Sequence, residues 1–285
     1  MDVIVDDDGF ELPVAPFLPG SDGIDLAAQV GLQPDFLDLA RGVIKLAVQS
    51  FVVRVGGRTI VIDTCVGEHK ARPEIQGWDR RDGTGFLGRL AATGIAPADV
   101  DVVFCTHLHV DHVGWNTRGV DGRWVPTFPS ARYLFGRREL ADWTARCATG
   151  APSVHCRALA DSVTPIVEAG LADLVDDGYE VAAGAVLLPL PGHTAGQMGL
   201  RLERGGEGAV FCGDAVHSPL QILDPTISTS SCADPAARAQ TRQDLFAEAA
   251  DGGRLLVPAH FRGPRCAHVR CTNGRFEPVF DCIPA

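Results

Sequence analysis

The chain lacks any long apolar run, and this absence excludes one broad class of protein. Its 285 residues are 46% hydrophobic, yet no uninterrupted apolar stretch approaches the roughly 20 residues that cross a bilayer. Residues 1–8 are acidic, without a positive start or a long apolar core, so we expect no secretory signal. The composition predicts a cytoplasmic globular protein with no membrane partner.

Positive charge is also scarce. The chain has 25 Lys and Arg against 36 Asp and Glu, for a net charge of -11. Nucleic-acid binding needs clustered basic side chains that displace counterions, so this balance argues against a nucleic-acid partner. The Arg-rich segment 136–140 is interrupted by Glu139 and is typical of a solvated helix face.

Cysteine occurs without a recognisable pattern of pairing or zinc binding. The nine cysteines are an odd number scattered along the chain, which fits a reducing cytoplasm better than a disulfide framework. We expect most of them to be small buried hydrophobes. Cys266, Cys271 and Cys282 cluster near the end and could pair or bind a metal, although their spacing matches no zinc pattern.

The most informative feature that is present is the motif Thr-His-Leu-His-Val-Asp-His at residues 106–112. His107 and His109 are two residues apart, so on extended backbone both imidazoles project to one side and can meet one ion. Asp111 and His112 are neighbours, so the backbone must turn there and aim them at a second position. The preceding apolar run predicts a buried strand that ends at a ligand-bearing loop. The motif therefore predicts half of a two-metal site.

Three further candidate ligands end apolar, strand-like runs downstream, namely His193, Asp214 and His260. Glycine directly precedes the first two, and glycine lets the backbone crowd close to an ion. A histidine-rich surface turn without a metal would explain the first motif alone, but it would not explain these downstream residues.

Together these motifs resemble those of the metallo-β-lactamase-fold hydrolase superfamily, over residues 50–262. The resemblance implies an α/β fold, the four-layer αββα sandwich, with two mixed sheets face to face and helices outside. It implies that Asp63 orients the ligand cluster from behind, with a turn-capping carboxylate as the alternative. It also implies the ligand set of each metal. His107, His109 and His193 would bind the first metal, and Asp111, His112 and His260 the second. Asp214 would bridge both.

Local patterns predict the elements around these residues. Gly56 and Gly57 are expected to turn a hairpin between strands at residues 49–55 and 59–63. Asp234 is expected to be the N-cap of a helix that runs to about residue 250. We expect further helices at residues 86–92 and 137–146, helices and a loop over the site at 148–168, and strands at 132–135, 186–190, 198–202, 209–212, 255–257, 268–271 and 276–280.

The domain organisation predicted from composition is simple. Residues 1–45 are rich in Pro, Gly and Asp, which favours an irregular N-terminal arm. Residues 46–285 then form the catalytic domain, as one elaborated unit.

The ligand chemistry favours zinc, because nitrogen and oxygen donors without thiolate suit it, although manganese, iron or cobalt fit the same set. A bound ion lowers the pKa of water from about 15.7 to about 7, and a second ion polarises the oxygen under attack. We therefore expect a dinuclear hydrolase that attacks by metal-bound hydroxide, and the family resemblance implies a carboxylic ester or lactone as its substrate. Its catalytic residues would be Asp111, Asp214 and His217.

Within the superfamily the resemblance is greatest to the methyl-parathion-hydrolase-like and quorum-quenching lactonase-like members, through residues 213–221 and 234–238. Acyl-homoserine lactonases place a Tyr three residues after the bridging Asp, where this chain has His217. His217 would either donate a hydrogen bond to the leaving oxygen or be held as a structural histidine. Trp115 and Phe261 would either wall the substrate pocket or pack in the core.

Two other functions stay open at this point. One is a phosphotriester hydrolase of the same branch, since phosphotriesters also present a polarised oxygen beside an electrophilic centre. The other is a mononuclear-iron, persulfide-dioxygenase-like oxidoreductase on the same fold. The resemblance further implies a small-molecule ester or lactone substrate and a homodimer.

Overall fold

In the computed structural model, which describes residues 1–150 and 153–280, runs of strands are separated by helices, and the strands build two large sheets. The chain forms two compact units. The first contains residues 1–7 and 48–183, and the second contains residues 8–47 and the described residues from 184 onward. Across the described ranges, no helix has the length and apolar composition that a membrane-spanning segment requires.

The first sheet carries the strand that precedes the histidine motif. Its seven strands are β1 (Asp2–Pro13), β2 (Leu37–Asp38), β3 (Val43–Val55), β4 (Arg58–Ile62), β5 (Val102–Phe104), β8 (Arg132–Gly136) and β9 (Ala172–Val175), in the order β1-β3-β4-β5-β8-β9 with β2 on β3. The strands β6 (Thr117–Val120) and β7 (Arg123–Pro126) form a separate hairpin. Because β4 and β5 are parallel, Asp63 and the motif after β5 emerge at the same edge of the sheet.

The second sheet carries the strands that precede the downstream candidates. Its strands are β10 (Glu180–Ala182), β11 (Ala185–Pro189), β12 (Met198–Arg204), β13 (Glu207–Gly213), β14 (Leu255–Pro258), β15 (Ala267–Thr272) and β16 (Arg275–Val279), paired in sequence order. The strand β12 is antiparallel to β11 and to β13, and β13 is parallel to β14. The carboxyl ends of β11, β13 and β14 therefore share one edge, where His193, Asp214 and His260 follow.

The helices are short except for two. They are α1 (Val14–Phe17), α2 (Phe86–Ala92), α3 (Arg137–Ala148), α4 (Val154–Ala158), α5 (Thr164–Glu168), α6 (Leu220–Leu223) and α7 (Pro235–Gly252). A π-helical turn at Leu159–Val163 joins α4 to α5. The predicted start of α7 is confirmed, because the Asp234 carboxylate accepts a hydrogen bond from the Ala237 N–H at 3.0 Å and Pro235 opens the helix.

The predicted hairpin at Gly56 and Gly57 is also confirmed. The strands β3 and β4 pair antiparallel, with Phe51 opposite Ile62 and Val55 opposite Arg58. Both glycines have positive φ, which glycine adopts at no steric cost.

The prediction of an irregular arm was wrong for residues 2–13, which form β1. Ile4 is buried, and two of the acidic side chains of β1 have basic partners. Asp2 lies 3.0 Å from Arg54, and Asp6 forms an ion pair with Arg81. Composition could not reveal these partners, which lie more than fifty residues away. The boundary between residues 45 and 46 stays a prediction.

The cysteines differ from the prediction at one place. Cys147 and Cys156 form a disulfide between α3 and α4, with Cα atoms 5.4 Å apart. Cys65, Cys105, Cys212 and Cys266 are free and buried, as expected of small hydrophobes. Cys271 is free and exposed, and Cys282 lies outside the described residues.

Candidate metal centre

The histidine motif forms a buried loop in the first unit, directly after β5. His107 and His109 bring ligand atoms within 4.8 Å of each other, and so do Asp111 and His112. The three imidazoles are buried, and Asp111 is half-buried. Within this unit, the pairs that the spacing predicts are therefore brought together.

The Asp63 carboxylate positions this loop through three hydrogen bonds. It accepts them from the Thr106 N–H at 2.8 Å, the Thr106 hydroxyl at 3.0 Å and His112 Nδ1 at 2.9 Å. Since a carboxylate only accepts, His112 must carry its proton on Nδ1, which leaves a lone pair on Nε2 in the neutral ring. This Nε2 lies 3.8 Å from Asp111 Oδ2.

Thr106 fixes the tautomer of His107 in a similar way. Its hydroxyl donates to Asp63, so its oxygen is left to accept from His107 Nδ1, 3.1 Å away. His107 therefore also presents the lone pair of Nε2, the orientation that suits a metal ligand.

In the second unit, three imidazoles surround one buried carboxylate. The Nε2 atoms of His193, His217 and His260 lie 3.2, 3.0 and 3.0 Å from the Asp214 oxygens. His260 Nδ1 lies 2.8 Å from the Ala47 carbonyl oxygen, which can only accept. The neutral His260 ring therefore directs a lone pair of Nε2 at the Asp214 carboxylate.

These orientations fit a metal. An imidazole lone pair and a carboxylate oxygen repel each other unless a proton or a cation lies between them, and the same conflict occurs at His112 with Asp111 and at His260 with Asp214. Imidazole and carboxylate donors without thiolate are ligands that Zn²⁺ and related divalent ions accept. A divalent cation would satisfy both groups in each unit.

His217 differs from the other two imidazoles around Asp214. Among the described residues, no group lies within hydrogen-bond distance of its Nδ1, so the neutral ring can place its proton on Nε2 and donate to Asp214. Burial lowers the pKa of His217 to about 3, against the opposing effect of the Asp214 carboxylate. This tautomer leaves no proton on Nδ1 for a leaving oxygen.

The aromatic residues proposed for a pocket lie in the cores of their units. Trp115 is 4% exposed, stacks on Phe86 at 5.0 Å and donates its N–H to Asp6 at 3.4 Å. Phe261 is fully buried and packs edge-on against Phe36 at 5.1 Å. These contacts favour the core-packing alternative for both residues.

Gly192 is required for a different reason from the predicted close approach to an ion. Its φ is +120°, and a Cβ there would lie 2.5 Å from the backbone nitrogen of Arg238 in α7. The Gly192 and His193 carbonyls accept hydrogen bonds from the Asp234 and Ala233 N–H groups at 2.8 and 3.0 Å. The glycine therefore lets the start of α7 hold the His193 loop.

Sequence reasoning missed three residues that contact the histidine loop in the first unit. Glu139, expected on a solvated helix face, is buried and accepts hydrogen bonds from the Leu108 N–H at 3.1 Å and the Trp143 indole at 2.9 Å. Trp143 and His155 both lie against the His109 ring. The four-residue spacing of Glu139 and Trp143 was the available signal, because it places both on one helix face.

Comparisons with known proteins show the family and the fold of the chain. A family model described as the metallo-beta-lactamase superfamily matches residues 43–260. A hydrolase of the beta-lactamase superfamily, AbOPH, aligns with a TM-score of 0.79 and 23% identity over 99% of this chain and 94% of its own. A probable metal-dependent hydrolase from Staphylococcus aureus aligns with a TM-score of 0.78 and 14% identity over 100% and 98% of the two chains.

Two further relatives carry more specific names. AidC, a dizinc quorum-quenching lactonase in complex with a product, aligns with a TM-score of 0.75 and 16% identity over 99% of this chain and 94% of its own. A curated ribonuclease Z from Mycobacterium avium (strain 104) is 34% identical over 79 residues, which is 28% of this chain and 22% of that relative. The structural likenesses share the fold and confirm the predicted metallo-β-lactamase architecture.

Proposed function

The chain belongs to the metallo-beta-lactamase superfamily, and from that premise we propose that it is a two-metal hydrolase that opens a carboxylic ester or a lactone. The proposed ligands are those named from the sequence. His107, His109 and His193 would hold one ion and Asp111, His112 and His260 the other, with Asp214 shared between them.

The orientation of His260 is the observation that carries this proposal. Its Nδ1 is committed to a backbone carbonyl, so its Nε2 lone pair is directed at Asp214 from 3.0 Å. His112 has the same arrangement, because its Nδ1 donates to Asp63 and its Nε2 faces Asp111. Histidine ligands in metalloproteins are held in this way, with the second ring nitrogen donating to a carboxylate or a carbonyl.

Bound divalent ions would supply two kinds of chemistry, a water of lowered pKa and polarisation of the substrate oxygen. Residues of the chain that do not bind a metal would orient the ligands. Asp63 fixes the His112 ring and the Thr106 backbone. We assign His217 a positioning role, because its Nε2–H would hold one Asp214 oxygen while the other oxygen faces His260.

An ester or lactone is proposed as the substrate on three grounds. The net charge of -11 disfavours a polyanionic substrate, including the nucleic acid that the name of the ribonuclease Z relative implies for that protein. A carboxylic ester or lactone is neutral and presents one carbonyl oxygen to a cationic centre. The dizinc lactonase among the structural neighbours supports the same substrate class.

Metal quantitation coupled to a hydrolysis screen tests this proposal. The full chain, loaded with zinc and desalted, is expected to retain about two ions and to hydrolyse lactones or aryl esters faster than phosphotriesters, thioesters or phosphodiesters. Chelation should abolish activity and lower the melting temperature, because a metal that binds the folded state stabilises it. One bound iron in the chain as purified, with oxygen consumption, would instead support the oxidoreductase, and a zinc-loaded chain that retains no metal would contradict the proposal.

A further inference from the structure

One face of α3 supports the histidine loop without contributing any of the proposed metal ligands. Glu139, Trp143 and Cys147 are spaced four residues apart, so they lie on one side of the helix. Glu139 accepts the Leu108 N–H at 3.1 Å, and the Trp143 ring meets the His109 ring edge-on at 5.4 Å. The face therefore contacts the loop at two successive positions and then reaches a cysteine.

His155, near the start of α4, supports the same loop. Its ring stacks on the His109 ring, with centroids 4.1 Å apart and planes at 30°. Its Nδ1 accepts a hydrogen bond from the Val110 N–H at 3.3 Å. His155 thereby constrains both the ring plane of His109 and the backbone that follows it. Trp143 contacts the His155 ring at 5.1 Å, so these three rings form one cluster.

The disulfide between Cys147 and Cys156 joins these two supports. Cys147 lies one helical turn after Trp143, and Cys156 directly follows His155. The helix α4 is the first segment of a continuous helical stretch that runs through the π-helical turn into α5, and the disulfide fixes the start of that stretch to α3. The Ser153 hydroxyl caps it by accepting the N–H groups of His155 and Cys156 at 3.2 and 3.4 Å. The covalent bond is therefore the strongest tie between α4 and α3. Both cysteines are half-buried, so neither is sealed in the core, and we expect a small reductant to reach the disulfide.

We propose that the Cys147–Cys156 disulfide is a redox-sensitive clamp that acts through the positioning residue His155 to hold the His109 imidazole in its metal-binding orientation. The inference rests on the proposed function, because it takes His109 as a metal ligand. A water-soluble phosphine breaks the S–S bond by giving up two electrons. Two protons from water complete the Cys147 and Cys156 thiols, and the water oxygen leaves in the phosphine oxide. The freed α4 then supports His109 less firmly, and metal is released faster.

The oxidation state can be read directly by mass spectrometry. Arg146 and Arg157 flank the two cysteines, so trypsin releases both in a single peptide, residues 147–157. The disulfide form of this peptide is lighter than the dithiol form by two hydrogens. Every sample of the metal-loaded full chain is assigned to one state by this mass before metal release is measured.

The test is the rate of zinc transfer to a chromogenic chelator, with and without prior treatment with the phosphine. Loss of support behind a ligand typically costs about 10- to 100-fold in metal affinity, and we expect transfer to be about 10-fold faster after reduction. The double variant C147S/C156S should show the fast rate in both conditions. The matched control C271S removes an exposed free thiol and should respond to the phosphine as the wild type does.

Substitutions of His155 separate the clamp from a merely structural disulfide. His155→Ala should release zinc as fast as the reduced protein and should no longer respond to the phosphine. His155→Asn keeps an acceptor for the Val110 N–H, and His155→Phe keeps a ring over His109, so each should restore part of the slow rate.

Three results would overturn the clamp while leaving the hydrolase proposal intact. They are equal release from the two verified redox states, an undiminished phosphine response in His155→Ala, and a peptide that stays reduced in air-exposed protein. A chain that retains no metal would overturn both proposals, and the initial metal content shows which case applies.

Discussion

The two units of the chain hold their candidate ligands by different means. In the first unit the ligands come from one loop, and side chains hold it through Asp63, Glu139 and His155. In the second unit the ligands follow three separate strands, and backbone groups hold two of them, His193 and His260. The Ala47 carbonyl fixes His260, and the start of α7 fixes the His193 loop. Side-chain supports can be removed singly by mutation, whereas backbone supports fail only when the local fold fails.

The largest loss of activity is expected when Asp214 of the second unit is substituted. Asp214→Asn keeps the shape of the side chain but removes the negative charge that three Nε2 atoms approach within 3.2 Å. Since loss of a support behind a ligand costs about 10- to 100-fold, loss of this shared ligand should lower kcat/KM by more than about 100-fold. Metal content per chain should fall in parallel, as measured by elemental analysis. A variant with full metal content and near-normal activity would contradict the assignment of Asp214.

A smaller effect is expected for the side-chain support in the first unit. Asp63→Asn keeps one acceptor oxygen but cannot serve the Thr106 N–H, the Thr106 hydroxyl and His112 Nδ1 as the carboxylate does. Metal affinity or kcat/KM should fall by about 10- to 100-fold, with the fold retained. Competition with a chelator measures the affinity, and circular dichroism checks the fold. Asp99→Asn, which changes a carboxylate in the turn before β5, is the control and should leave the affinity unchanged.

For the backbone supports of the second unit, the measured quantity is stability. Gly192→Ala would place a Cβ 2.5 Å from the Arg238 nitrogen at a φ of +120°, so the His193 loop and the start of α7 must move apart. We expect the free energy of unfolding to fall by about 1–3 kcal/mol or more, as measured by denaturant titration. Gly205→Ala, also at positive φ but with nothing within 4 Å of its Cβ, should cost only about 1–2 kcal/mol. Equal losses in the two variants would show that the contact with α7 does not matter.

A change of stability with pH is expected from a buried cation of the first unit that lies away from the ligand loop. Burial lowers the pKa of Lys70 to about 7, against a raising effect of Asp161. Its Nζ donates to the Thr117 hydroxyl at 2.7 Å and lies 3.8 Å from the Trp124 ring centroid. Between pH 7 and the unfolded pKa of about 10.4, the unfolded chain holds this proton more firmly than the folded one. Lys70 therefore contributes a stability term that increases as the pH rises.

Lys70→Met removes this term, so the stability of the wild type relative to the variant should increase from pH 7 to about pH 10. Denaturant titrations at several pH values measure it. A difference that stays constant over that range would show that Lys70 keeps its ordinary pKa in the folded protein.

The contrast between the units also explains which parts of the site were predictable. The loop at residues 106–112 contains four of the proposed ligands within seven residues, so the sequence alone indicates them. Asp63 is predictable too, because it follows the strand β4, which pairs with β5. His193, Asp214 and His260 are single residues, indicated only by the apolar runs that they end and by the glycine before the first two, and the family resemblance assigned each of them to a metal. Spacing alone carries no information about residues that meet through the order of strands in a sheet.

The supports behind the ligands were less predictable, because each depends on tertiary contacts. The sequence predicts Glu139 on a solvated helix face, whereas its carboxylate is buried and accepts a hydrogen bond from the Leu108 N–H. Trp115 and Phe261 are adjacent or close to proposed ligands in sequence, yet each packs into the core of its unit. Composition favours an irregular arm at the position of β1, because the arginine partners of its acidic residues are remote in sequence.

The central claim is that lone pairs of His112 and His260 are held ready for cations. Anomalous diffraction from crystals of the zinc-loaded chain, recorded on both sides of the zinc absorption edge, tests it most directly. The account predicts two peaks about 3.5–4 Å apart, one bonded to His112 Nε2 and His260 Nε2 and the other to His107 and His109, with Asp214 touching both. An absence of peaks at these nitrogens in fully loaded crystals would contradict it.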